Sequence, residues 1–170
     1  MERKILVLGI GNLLMGDEGA GVRVAETLLA TVLPSHVEVV EGGTGGFHLL
    51  ELFDHYEQVI IVDAALDSKP PGTISVLTPR YASDFPPTLT AHDIGLKDLV
   101  DAAHLLGHAP PIQLVTISVN NFQSMGLELS KQVAAAIPLA VNKVLRIVED
   151  LVSVPAGDQA MAPGKEIGHA

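Results

Sequence analysis

Short apolar runs alternate along the chain with longer stretches in which apolar residues recur at helical spacing. Ile5-Leu6-Val7-Leu8 is apolar at every position and stops at Gly9, the pattern of a parallel strand covered on both faces. Val22, Val24, Ala25, Leu28 and Leu29 then follow helical spacing approximately. Asp17 and Glu18 stand at the start, where acids favour a helix N-terminus, and Pro34 is the expected end. A second strand over Val37 to Glu41 leads into Gly42-Gly43-Thr44-Gly45-Gly46 and a short helical segment from Phe47 to Phe53. Val59-Ile60-Ile61-Val62 predicts a central strand closed by Asp63. Pro70-Pro71-Gly72 turns the chain into Thr73 to Leu77, whose interleaved Thr and Ser suit a sheet edge. A loop with Pro79, Pro86 and Pro87 reaches His92. A helix then starts near Asp93 with Leu96, Leu99, Val100 and Ala103 inward, and Ile112 to Val119 supplies a last strand. The final helix spans about Leu127 to Leu151 and contains Pro138, which should kink or split it.

Strands alternating with helices at this spacing predict an α/β fold. The expected form is a single-domain three-layer sandwich, with a mainly parallel, twisted sheet of about five strands and helices on both faces. A chain of 170 residues suits one domain, expected over 1–152. Past Val152 the composition shifts to Pro, Gly, Ala and isolated charges, so 153–170 is expected to be a flexible tail. Apolar residues make up 48% against 18% charged, and with no Trp the core must be built from Val, Ile, Leu and Ala. Val133 to Val141 is the most apolar stretch outside the strands. Asn142, Lys143 and Arg146 follow before it reaches the roughly 18 apolar residues of a spanning helix, so no membrane insertion is expected.

Twenty acids against ten bases give a formal net charge of −10, which repels polyanions and argues against nucleic acid as a partner. The absence of Cys removes disulfides, thiolate metal sites and a cysteine nucleophile together, and suits a reducing compartment. The first apolar run is too short for a signal sequence, so a cytoplasmic location is expected.

Candidate chemistry gathers past the strands. Glu18, Asp63 and His92 each lie at the end of a predicted strand or in the loop beyond it, where ligands of open α/β sheets bind, and two carboxylates with an imidazole suit a borderline metal ion. Each has a plainer explanation. Asp17 and Glu18 complement a helix dipole, worth about 0.3–1 kcal/mol at an exposed site. One acid suffices for that, which leaves the longer Glu18 to reach the crevice. Asp63 can cap a turn, and His92 is one of seven histidines. His36, His55, His104 and His108 are expected at the surface or its boundary, His48 packed on the second helix, and His169 in the tail. Gly9-Ile10-Gly11-Asn12-Leu13-Leu14 begins like a dinucleotide fingerprint, but Leu14 stands where a small residue is wanted, and no nucleotide cofactor is expected. A tight turn and close backbone approach explain the glycines. Gly42 to Gly46 carries no Lys or Arg, and Glu41 beside it repels phosphate, so a loop admitting a peptide backbone fits better. Neither Gly-x-Ser-x-Gly nor His-Glu-x-x-His occurs.

The blocks Gly9-Ile10-Gly11-Asn12-Leu13-Leu14-Met15-Gly16-Asp17-Glu18-Gly19-Ala20-Gly21-Val22, Glu41-Gly42-Gly43-Thr44-Gly45-Gly46, Ile61-Val62-Asp63-Ala64 and His92-Asp93-Ile94-Gly95-Leu96 together closely resemble the hydrogenase maturation proteases. These are the HybD-like endopeptidases that process the large subunit of nickel-iron (NiFe) hydrogenases. The resemblance runs from Lys4 to about Leu151. It implies an α/β peptidase that removes a C-terminal extension from the large-subunit precursor once nickel is inserted. Glu18, Asp63 and His92 fall on the family's metal-binding positions. Glu41 replaces the usual Asp that opens the glycine block and is linked to substrate handling. Val119-Asn120-Asn121-Phe122-Gln123 departs from the family's proline-containing form and bears on which large subunit is recognised. The resemblance makes the nickel part of the substrate, where it would position the tail and either polarise the scissile carbonyl or lower the pKa of an attacking water, with Asp17 or Glu41 as further candidates for a general base. A nickel-recognising escort that holds the precursor without cutting it uses the same ligands, and only a peptidase shortens the precursor.

Overall fold

In the computed structural model, which describes residues 3–44, 46–86, 93–107, 109–120 and 125–153, five strands form one sheet. They are β1 (Ile5–Ile10), β2 (Val37–Gly43), β3 (Gln58–Ala65), β4 (Ile74–Leu77) and β5 (Ile112–Ser118), in the order β2-β1-β3-β5-β4. β2, β1, β3 and β5 run parallel, and β4 closes one edge antiparallel to β5. The α-helices are α1 (Ala20–Leu29), α2 (Leu50–Phe53), α3 (Asp93–Leu105) and α4 (Lys131–Ser153).

Period-two alternation sorts the strand residues between two cores. Ile5, Val7, Ile60, Val62, Val115 and Ile117 pack with α1 and α4 through Val24, Leu28, Ala140 and Val144. Leu6, Leu8, Ile10, Val59, Ile61 and Leu114 pack with α2 and α3 through Phe53, Leu96, Leu99 and Ala103. The three-layer sandwich is thus the one the apolar runs predict, and the partly exposed β4 is the expected edge.

Three elements differ from expectation, each for a local reason. Asp63 does not close its strand. β3 continues to Ala65 because β5 stays paired with it through Ala65↔Ser118, beyond the end of its pairing with β1. α1 starts at Ala20 rather than at the acids, which occupy a 3-10 turn over Gly16–Gly19, and it ends before Pro34. Its last turn tightens as Thr31 donates to the Leu28 carbonyl, while the Thr27 and Thr31 hydroxyls bond the Arg23 and Thr27 carbonyls. α4 starts at Lys131, not Leu127, because Ser130 caps it through Val133 N–H. It then runs unbroken through Pro138. Pro138 and Ala134 lie on the exposed face, so the Ala134 carbonyl that loses its partner is left to water, while Val133, Ile137, Val141 and Val144 stay buried opposite. The helix reaches Ser153, one residue into the expected tail, and 154–170 lie outside the described residues. No helix among the described residues is long and apolar enough to cross a membrane.

The closest packing occurs where α1 meets the sheet. A Cβ on Gly21 would collide with the carbonyl oxygens of Ile10 and Val62, and one on Gly9 would strike Gly21 and Ala25. The first turn of α1 therefore rests directly on the carboxyl ends of β1 and β3. An Ala in a helix interior is favoured over Gly by about 1 kcal/mol on propensity alone. Overpacking here should reverse that sign, so Gly21→Ala is expected to lower stability by about 1–3 kcal/mol, or roughly 2–12 °C in thermal unfolding. An unchanged or raised melting temperature would contradict this packing.

Candidate active site

From β1 the chain passes through α1 to β2 on one side, and from β2 through α2 to β3 on the other side of β1. β1 and β3 therefore flank the point where successive connections diverge, and a crevice opens there beyond the strands' carboxyl ends. Glu18 belongs to the loop leaving β1, and Asp63 lies near the end of β3.

The loop from Gly11 to Gly19 is held largely by its own backbone. Gly11, at φ 150°, donates to the Gly43 carbonyl at 2.6 Å. It also leaves room for the Glu18 carbonyl, which a Cβ would strike. The Asn12 side chain accepts from Leu14 N–H at 3.0 Å, Asn12 N–H reaches the Glu18 carbonyl at 3.3 Å, and Glu18 N–H reaches Met15 at 3.3 Å. The turn Gly16–Gly19 packs against β3. Glu18 is only 4% exposed and Asp63 0%, so neither acid is a surface complement to the α1 dipole. Desolvating a carboxylate costs several kcal/mol unless partners compensate it, which marks both as positions with a purpose.

Asp63 pairs in register with Thr116, and Ala65 with Ser118. Asp63 shares the parity of Ile61, so its side chain is on the α2 and α3 side of the sheet, and one oxygen accepts from Ala64 N–H at 2.8 Å. Asp63, Thr116 and Ser118 are all buried and form a polar strip continuing the apolar row of Ile61 and Leu114. Reading the apolar runs alone missed the two hydroxyl residues. The available signal was the replacement of apolar side chains at alternate positions in Leu114-Val115-Thr116-Ile117-Ser118.

His92 lies outside the described residues, but the next residue, Asp93, opens α3, which packs on the face that carries Asp63. Among the described residues no three His, Asp or Glu side chains are grouped to hold a metal. Asp17 is 3% exposed and accepts from Ser130 N–H at 2.7 Å, a link absent from the sequence reading. Ser130 directly before a helical run was its one visible sign.

Glu41 pairs in register with Gly9, which puts it on the α1 side of the sheet, opposite to Asp63. It is exposed and lines an open hollow of about 370 Å³ with Gly11, Asn12, Leu14, Val22 and Gly43. His48 is exposed rather than packed, because the turn Phe47–Leu49 directs Leu49 inward instead. His36 is partly buried and His55 and His104 are exposed, as expected, while His108 and His169 lie outside the described residues. A larger hollow of about 620 Å³, lined by Lys4, His36, Glu38, His55 and Tyr56, opens at the strands' amino ends, far from the switch point. There the Tyr56 hydroxyl donates to Glu38, and burial followed by that bond and charge pushes the phenol up to about 12.

A profile of the HycI hydrogenase maturation protease family matches residues 22–147. The chain is 34% identical over 151 residues to the hydrogenase 2 maturation protease of Escherichia coli K12, covering 86% of this chain and 92% of that one. It is 32% identical over 149 residues to the hydrogenase expression/formation protein HupD of Rhizobium leguminosarum bv. viciae, covering 85% and 74%. Among solved structures, the hydrogenase maturating endopeptidase HybD of E. coli superposes with a TM-score of 0.79 at 33% identity, covering 86% of this chain and 93% of that one. The Thermococcus kodakarensis HybD maturation protease gives 0.69 at 28%, covering 88% and 99%. With a family profile across most of its length and the same sheet and helix arrangement, the chain belongs to the hydrogenase maturation proteases and is a peptidase.

Proposed function

We propose that this endopeptidase removes the C-terminal extension of a NiFe-hydrogenase large-subunit precursor after nickel insertion, in the cytoplasm. The precursor's own nickel is the feature it recognises, through Glu18, Asp63 and His92. The observation that carries this reading is the burial of Glu18 and Asp63 on the two segments flanking the switch point, where a cation would offset the cost of desolvating two acids. Carboxylates and imidazole suit nickel, and a site that uses the metal as its recognition element would reject unloaded precursor.

The scissile bond need not lie at the metal. Glu41 starts from the opposite face of the sheet, beside the open hollow at the end of β1 and β2. A tail anchored at the Asp63 side would run over the end of β1 to reach it, and the glycines at 43 and 46 would let its backbone come close. In hydrolysis, water adds to the scissile carbonyl carbon as a carboxylate takes its proton. The C–N bond then breaks, and that proton passes to the departing amine. Glu41 is assigned this proton, since the carboxylate of Asp17 is already engaged by Ser130. The reaction balances with water alone and requires no nucleotide cofactor.

Incubating purified protein with nickel-loaded precursor and following mass should show loss of the extension, whereas an escort would leave the precursor intact. Glu18→Gln, Asp63→Asn and His92→Leu are each expected to fold but fail to process it, and full cleavage by all three would refute the ligand assignment. Precursor lacking nickel is expected to resist cleavage, and equal rates with and without the metal would remove it from recognition. Glu41→Gln should lower kcat by about 10²–10⁴-fold, the usual contribution of a general base. A wild-type rate would take Glu41 out of the proton transfer.

A further inference from the structure

We propose that Asp17 is a positioning residue for Glu18: by bonding the start of α4, it holds the turn that carries Glu18 against β3. The inference rests on the reading of Glu18 as a ligand to the precursor's nickel. Asp17 and Glu18 are neighbours in the 3-10 turn Gly16–Gly19, where successive side chains leave the axis about 120° apart. Fixing one of them therefore sets the direction of the other.

The bond itself is built as a fixture. The carboxylate of Asp17 is almost wholly buried and accepts from Ser130 N–H, 113 residues away, at 2.7 Å. Ser130 is the cap of α4, and its N–H lies at the positive end of a helix of 23 residues, where a carboxylate is held by charge as well as by the hydrogen bond. The surrounding strap is tied at three more points. Gly126 N–H donates to the Leu14 carbonyl at 2.9 Å, Gly16 N–H to the Gly126 carbonyl at 2.6 Å, and Arg23 Nη2 to the Leu127 carbonyl at 3.2 Å. Among these ties, that of Asp17 is the one made by a side chain of the turn carrying Glu18. The others hold backbone or reach from α1.

Positioning and proton transfer make different demands on this residue. An anchor needs an acceptor oxygen facing Ser130, which Asn also supplies, whereas a general base needs an ionisable carboxylate. Because a misplacement of about 1 Å can cost about 10²-fold in rate, loosening the anchor should be visible in turnover while the fold survives.

The test measures kcat and KM of the full-length protein on nickel-loaded precursor, together with pull-down of nickel-loaded and nickel-free precursor. Asp17→Asn is expected to recover most of the kcat/KM that Asp17→Ala loses, the loss being about 10–100-fold. Ser130→Pro, which removes the N–H donor, should match Asp17→Ala, and Ser130→Ala, which keeps it, should cost less than Ser130→Pro. The double variant Asp17→Ala/Ser130→Pro should be no worse than the poorer single one, as expected for two halves of one interaction. In pull-down, Asp17→Ala should lose preference for the nickel-loaded precursor, whereas general damage to the fold would weaken capture of both. The inference is overturned if Asp17→Asn is as inactive as Asp17→Ala, if Asp17→Ala keeps the wild-type rate, or if the two sites lose activity additively. A wild-type protein that treats both precursors alike would instead overturn the nickel reading. The ranking of Asn above Ala and the coupling to Ser130 would still decide whether Asp17 acts as an anchor.

Discussion

Everything at the carboxyl end of the sheet depends on the contact of the α1 backbone with the backbone of β1 and β3. Gly21 rests on the Ile10 and Val62 carbonyls, and Gly9 lies under Gly21 and Ala25, so neither position tolerates a side chain. With α1 pressed this closely, the chain between Gly11 and Gly19 has no route except a tight turn folded over the end of β3. That turn buries Glu18 where it packs against β3. A few ångströms more between helix and sheet would leave the acid in solvent, where it would do little beyond complementing a helix dipole.

Burying acids at the carboxyl end of a sheet is costly, and the surrounding structure supplies compensation. Asp17 is answered by an N–H at the start of a long helix, and Asp63 by the N–H of Ala64 and a polar strip of Thr116 and Ser118. In the proposed function, such a site gains from a cation arriving with the substrate. The two faces of the sheet then divide the work in the proposed function. The α3 side holds the anchor, and the α1 side, with Glu41 and the hollow beside it, handles the extension.

The sheet was legible because β1 and β3 carry unbroken apolar runs bounded by Gly or charge, and α3 because Leu96, Leu99, Val100 and Ala103 keep a clean helical period. What the pattern could not convey is pairing. Asp63 reads as the end of a strand because the apolar run stops there, yet β5 goes on pairing with β3 for two more residues. Asp17 reads as a first-turn acid and Glu18 as one able to reach the crevice, but nothing local reveals that α4 begins beside them or that β3 lies beneath. Pro138 reads as a break, since periodicity alone gives no weight to an exposed face on which a lost hydrogen bond costs little. Nothing in the sequence says which face Glu41 occupies, and only the register with Gly9 places it opposite to Asp63.

The claim at the centre is that carboxylates of this chain touch the metal carried by its substrate. Nickel K-edge absorption of loaded precursor, recorded alone and in complex with a cleavage-deficient Glu41→Gln protein, addresses it without relying on turnover. The account predicts that complex formation adds oxygen or nitrogen scatterers to the nickel shell, and that a further Glu18→Gln change removes part of that addition. A nickel spectrum that is the same free and bound would contradict it.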